Sequence, residues 1–173
     1  SYSNWVLSMQ EHLLNLYSLV KYELEKYSNL LELLYQERQV LVERRIEDLA
    51  DLISEKEKLI YRINNVESER DDLLAELSAF PHVGSKSLDA ATLIELAEEP
   101  LKSEFADIFD EVQRVRTEFE YVNATNKELL LSEYEYVSFL IDQVTRIEEP
   151  GETYEDDGSL RSPVGKGMFD HRI

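Results

Sequence analysis

Residues 32–74, ELLYQERQVLVERRIEDLADLISEKEKLIYRINNVESERDDLL, hold two runs of helical periodicity separated by a short interruption at Glu43-Arg44-Arg45. Before it, Leu34 and Leu41 stand seven residues apart; after it, Leu49, Leu52, Leu59, Ile63 and Val66 keep a three-four spacing. A sustained heptad needs another helix to cover it. One continuous helix would leave a very long apolar seam bare, so the two runs are expected to fold back on each other through a tight turn near Glu43–Asp48, with Asp48 positioned to cap the second helix. Charged residues inside the seams fix the register. Glu23 and Glu37 occupy core positions of the first run, Lys56 and Arg70 those of the second, and the pairs Glu37/Lys56 and Glu23/Arg70 lie symmetrically about a point between Ile46 and Glu47. A single antiparallel turn there brings both pairs together, which penalises other registers more than it adds stability.

Outward from this stretch the pattern extends in both directions. The first helix is expected over 4–44, with Val6, Leu13, Val20, Tyr27, Leu34 and Leu41 at one heptad position, and the second over 47–77. SAFPHVGSKS at 78–87 breaks the periodicity with Pro81 and Gly84 and reads as a loop. A short helix follows over 88–98, capped by Ser87, and Pro100 opens a last long helix over 101–148, where its missing N–H costs nothing. Asn126 falls in the seam of that helix, a placement that fixes register at some cost in stability. Residues 149–173 hold two Pro and four Gly among mixed charges and too little apolar material to fold alone, so they read as a mobile tail. The expected fold is therefore all-α: an elongated antiparallel helical hairpin with a third long helix packed along it as a coiled-coil-like bundle, over 1–148, and a flexible C-terminal tail.

Composition narrows the function. The net charge is −19, from 37 acidic against 18 basic residues, which repels phosphate backbones and anionic membrane surfaces and so argues against nucleic acid or membrane as a direct partner. There is no Cys, so disulfides and thiolate metal sites are excluded. No run approaches the ~20 apolar residues of a membrane span. No N-terminal stretch reads as a signal peptide, and a cytoplasmic location is expected.

No constellation carries chemistry. His12, His82 and His171 are scattered, and none is preceded by Glu at three residues, as a bundle-type metal site would require. Gly165-Lys166-Gly167 lacks the spacing of a phosphate loop. Neither enzyme activity nor a metal or other cofactor is expected. The ten Tyr are expected mostly at seam edges, with interface contact as the alternative. Two classes of function stay open on these grounds: a protein that acts by binding another protein, and a structural coiled-coil scaffold or adaptor that associates with itself.

In the order of its elements the chain resembles the FlgN family of flagellar export chaperones. The hairpin stretch above is similar to the family's first two helices. TLIELAEEP at 92–100 resembles its short middle segment, and NKELLL at 126–131 its last helix. The tail, with Tyr154, Gly158 and a closing FDHRI, is similar to that of the family's longer members. The turn differs, because Arg44-Arg45 stands where a Gly-Asp or Gly-Asn pair is more usual. The resemblance implies a chaperone for the hook–filament junction proteins FlgK and FlgL. It would bind their C-terminal segments, prevent premature assembly and deliver them to the export gate protein FlhA. It further implies a client-binding region on the second half of the last helix, with Leu129, Leu130, Tyr136, Val137, Leu140, Ile141, Val144 and Ile147 as its apolar residues there. Tyr154 would be the gate-docking residue.

Overall fold

A computed structural model of the chain describes residues 2–83 and 88–148, with side chains over 4–83 and 88–146. The elements are α1 (Tyr2–Val42), a 3₁₀ turn (Ile46–Asp48), α2 (Leu49–Ser78), α3 (Ala90–Leu96) and α4 (Leu101–Glu148). There is no strand among the described residues. The chain divides into two compact units, Ser1–Glu135 and Tyr136–Ile173.

In the first unit α1 runs without a Gly or Pro and stops by a backbone device. The Arg45 N–H donates to the Val40 carbonyl at 3.0 Å and the Arg44 N–H to that of Leu41 at 3.3 Å. These are the paired bonds of a Schellman ending, which needs a left-handed residue after the cap. Arg44 supplies it, at φ 57°. The hairpin thus turns where a glycine would be easier, and the side chain of Arg45 ties the turn together. Its Nε donates to Glu43 and its Nη1 to Asp48, both at 2.7 Å. Asp48 precedes α2 but makes no side-chain cap, contrary to the expectation from sequence, because its carboxylate is engaged by Arg45.

The seam pairs sit where the symmetric turn requires. Lys56 Nζ donates to Glu37 Oε2 and Arg70 Nη1 to Glu23 Oε1, each at 2.6 Å, and both glutamates are buried. At the other end of the hairpin α3 begins at Ala90, later than sequence suggested. Asp89 is its cap, accepting from the Thr92 N–H at 2.9 Å. Ser87, the expected cap, lies outside the described residues.

Within this unit α4 runs parallel to α1 and antiparallel to α2. Phe105 meets Tyr17, Phe119 meets Tyr27, and Asn126 meets Leu34, so residue numbers rise together on the two helices. The largest core cluster joins Leu13 and Leu16 of α1 to Leu77, Leu93 and Phe105 from the other three helices. Phe105, Leu13 and Leu77 are fully buried. Each such side chain contributes about 1.5–3 kcal/mol relative to an exposed one. Nearer the hairpin turn, Leu31 and Leu34 pack on Val122, and Val40, Leu41 and Leu49 on Leu129.

Candidate functional site

Along α4 in the first unit the heptad seam is covered. Phe105, Ile108, Val115, Val122 and Asn126 are all buried. Leu129, an expected client contact, is half-buried against Val40 and Leu41 and belongs to the core. Leu130, by contrast, is exposed, as is Leu131 beside it. Arg44 Nε approaches Glu133 Oε1 at 3.3 Å, so the turn of the hairpin and this part of α4 are tied by charge.

The described part of the second unit is the end of α4, and its apolar side chains are not covered. Tyr136, Val137, Phe139, Leu140, Ile141 and Val144 are between 41 and 58% exposed. At 3.6 residues per turn these six positions spread over more than half of the helix circumference. A helix packed on one neighbour needs a stripe roughly 100° wide, so this segment is apolar well beyond what one neighbour could use. Asp142 and Arg146 are the charged residues that interrupt it. Contiguous exposed apolar surface of this kind makes the segment the candidate interaction site. Ile147 lies in α4 by its backbone, with its side chain outside the described residues; Tyr154 lies outside them altogether.

Sequence reasoning placed Tyr136, Val137, Leu140, Ile141 and Val144 in the client region and left out Phe139 and Leu131, which are exposed as well. The signal was present in the unbroken runs Leu129-Leu130-Leu131 and Phe139-Leu140-Ile141. Three consecutive apolar residues cannot share one helical stripe, so they announce a segment with more than one apolar face.

The polar seam residues form a network of a different kind. Asn126 Nδ2 donates to the Leu34 carbonyl at 2.7 Å and to Glu37 Oε1 at 3.2 Å, while Glu37 accepts from Lys56. One carboxylate thereby joins α1, α2 and α4. The Oδ1 of Asn126 is buried without a partner. At the second pair, burial pushes the Glu23 carboxyl above its ordinary value and the Arg70 guanidinium pulls it back only in part. For Arg70 burial works against the charge, yet the Glu23 carboxylate prevails and its pKa goes up. The pair is held ionised at a desolvation cost carried by Glu23. A carboxyl whose pKa is raised on folding favours the fold below its unfolded value and loses that contribution as pH rises through the raised one. The pair therefore specifies register more than it stabilises. The Glu23–Arg70 pair lines a cleft between α1, α2 and α4, with each partner engaged by the other. Among the described residues no group of three or more His, Asp or Glu could hold a metal ion.

A comparison with protein families decides what this arrangement belongs to. The model of the family described as FlgN protein matches residues 9–162. The chain belongs to the FlgN family. Comparisons with curated proteins and with solved structures gave no match. FlgN proteins are chaperones of flagellum assembly and not a known enzyme family, which agrees with a chain whose most distinctive described surface is apolar and helical. The FlgN match takes in α1 from residue 9 onward, α2, α3 and α4. None of the described FlgN helices is long and apolar enough to cross a membrane.

Proposed function

We propose that this FlgN-family chain is a cytosolic export chaperone that holds the C-terminal segments of FlgK and FlgL on the apolar end of α4, keeps them from assembling early and delivers them to FlhA. The observation that supports this reading is the exposure of Val137, Leu140, Ile141 and Val144 on a well-formed helix. An amphipathic client segment lays its apolar side chains on such a surface. Each side chain buried contributes about 1.5–3 kcal/mol, enough for a handful to offset the ordering of a flexible chain. Because the apolar sector exceeds one stripe, the client is read as packing on two sides of α4 or wrapping it.

The test is a pair of substitutions, Leu140→Asp with Val144→Asp. Both sites are exposed, so helicity and melting should change little. Affinity for the FlgK or FlgL segment should fall at least ~100-fold, since two apolar contacts are lost and two charges are desolvated. Retained affinity would move the client site elsewhere. Tyr154→Ala should leave client binding intact and weaken docking to FlhA. The second reading, a scaffold that associates with itself, rests on the same exposed residues. Sedimentation of the pure chain separates them: the chaperone stays monomeric until its client is added.

A further inference from the structure

A cleft of about 440 Å³ opens in the first unit, floored by α1, walled by α2 and α4 and closed at one end by α3. Leu24, Leu74, Leu93, Val112 and Phe119 line it, one or more from each helix. All of these except Leu93 are only half-buried, so the walls remain open to solvent. Three long helices and one short one make a four-helix cross-section only where α3 is present. Past the end of α3 the fourth position is open.

Beyond the cleft, past one polar position, apolar residues return on the same face of α2. Ile60 and Ile53 stand on the same stripe of α2 as Leu74, at multiples of seven residues, with Glu67 between Leu74 and Ile60 held by the Tyr27 hydroxyl. Ile60 and Ile53 are 43 and 45% exposed. From Leu74 to Ile53 the stripe runs about 30 Å at 1.5 Å per residue. That length suits a helix of several turns rather than a single inserted side chain.

Charge at the cleft narrows the occupant. Arg116 lines it and is exposed, with no hydrogen bond or ion pair among the described residues. Arg70, the other lining cation, is already engaged by Glu23. The charge of Arg116 acts at a distance on Glu23 and Tyr27 across the cleft, but its N–H groups make no close ion pair, so in a chain of net charge −19 they are left to receive a carboxylate. Glu120, one turn further along α4, also lines the cleft and disfavours a wholly acidic segment.

We infer that this groove receives an amphipathic helix of the client, apolar side chains inward and an acidic residue against Arg116, completing a four-helix cross-section beside α3. The inference rests on the client reading above and adds to the apolar end of α4 a second seat within the first unit. A helix laid in a groove between two others buries one apolar stripe of its own and covers both walls.

Two substitutions test it. Ala90→Trp, at an exposed cleft-lining position in α3, fills the space the client would enter; Arg116→Glu reverses the charge. Neither site is in the core, and circular dichroism should match the parent. Titration of each full chain with the purified C-terminal segment of FlgK should show affinity reduced at least ~10-fold by Ala90→Trp, and by about 10-fold by Arg116→Glu with weaker dependence on salt. Wild-type affinity in both variants, while Leu140→Asp with Val144→Asp loses the client, would leave the client reading standing and overturn the groove. If the parent chain binds neither the FlgK nor the FlgL segment, the client reading falls and takes this occupant with it. A concentration-dependent dimer abolished by Ala90→Trp would overturn the inference in favour of a second copy of the chain.

Discussion

Asn126 shows how single residues set the geometry here. Its amide bonds to Leu34 and Glu37 hold α4 at one register on α1, yet its Oδ1 stays buried and unpartnered. Removing one partner of a buried hydrogen bond leaves the other short of a donor, and a new buried charge is costlier still. Asn126→Leu, which takes a donor from buried Glu37 but also removes the orphaned Oδ1, should therefore lose about 1–2 kcal/mol in denaturant. Asn126→Asp, which sets a second carboxylate beside Glu37, should lose about 3 kcal/mol or more. Tyr27 makes a complementary case. Burial, and then the hydrogen bond from its hydroxyl to Glu67 at 2.7 Å, push its pKa from 10 to about 12. The neutral phenol is thus favoured by the fold. Its contribution is complete below pH 10 and is lost as pH rises through about 12. Tyr27→Phe should be less stable than the parent by about 1 kcal/mol at neutral pH, and the difference should close in alkaline denaturation.

At the scale of elements the turn of the hairpin is the place where sequence and structure pull apart. A Schellman ending prefers glycine at the left-handed position, and Arg44 occupies it at φ 57°. Its ion pair with Glu133 joins an exposed guanidinium to a half-buried carboxylate and is screened by solvent on the arginine side. Arg44→Gly should accordingly raise stability by about 0.5–1 kcal/mol in thermal unfolding, without changing the helical content. The hairpin itself was legible from sequence because its register is written in charge. Glu23, Glu37, Lys56 and Arg70 sit at core positions where charge is tolerated only when paired, and one turn pairs both. The caps were less legible. Ser87 and Asp89, or Asp48 with its neighbours, are all good capping residues, and which one acts depends on tertiary partners such as the Arg45 side chain that takes Asp48. At the end of α4 periodicity identified Val137, Leu140, Ile141 and Val144 as apolar face but could not say whether another helix covers them. It passed over Phe139 because a one-face template discards it. The cleft beside α3 was invisible for a similar reason: an absent fourth helix leaves no trace in the pattern of the three that are present.

At the scale of the molecule, an acidic chain that leaves a wide apolar sector on a helix has two needs, to stay apart from its own copies and to accept a visitor. The charge of −19 favours the first through mutual repulsion, and on the proposed reading the exposed residues from Val137 to Val144 serve the second. The measurement that bears most directly on this account is a methyl-resolved NMR titration of the intact chain with the C-terminal segment of FlgK. The account predicts that the methyl signals of Val137, Leu140, Ile141 and Val144 shift together and saturate with the client. Saturable binding that leaves those four signals unmoved would contradict it.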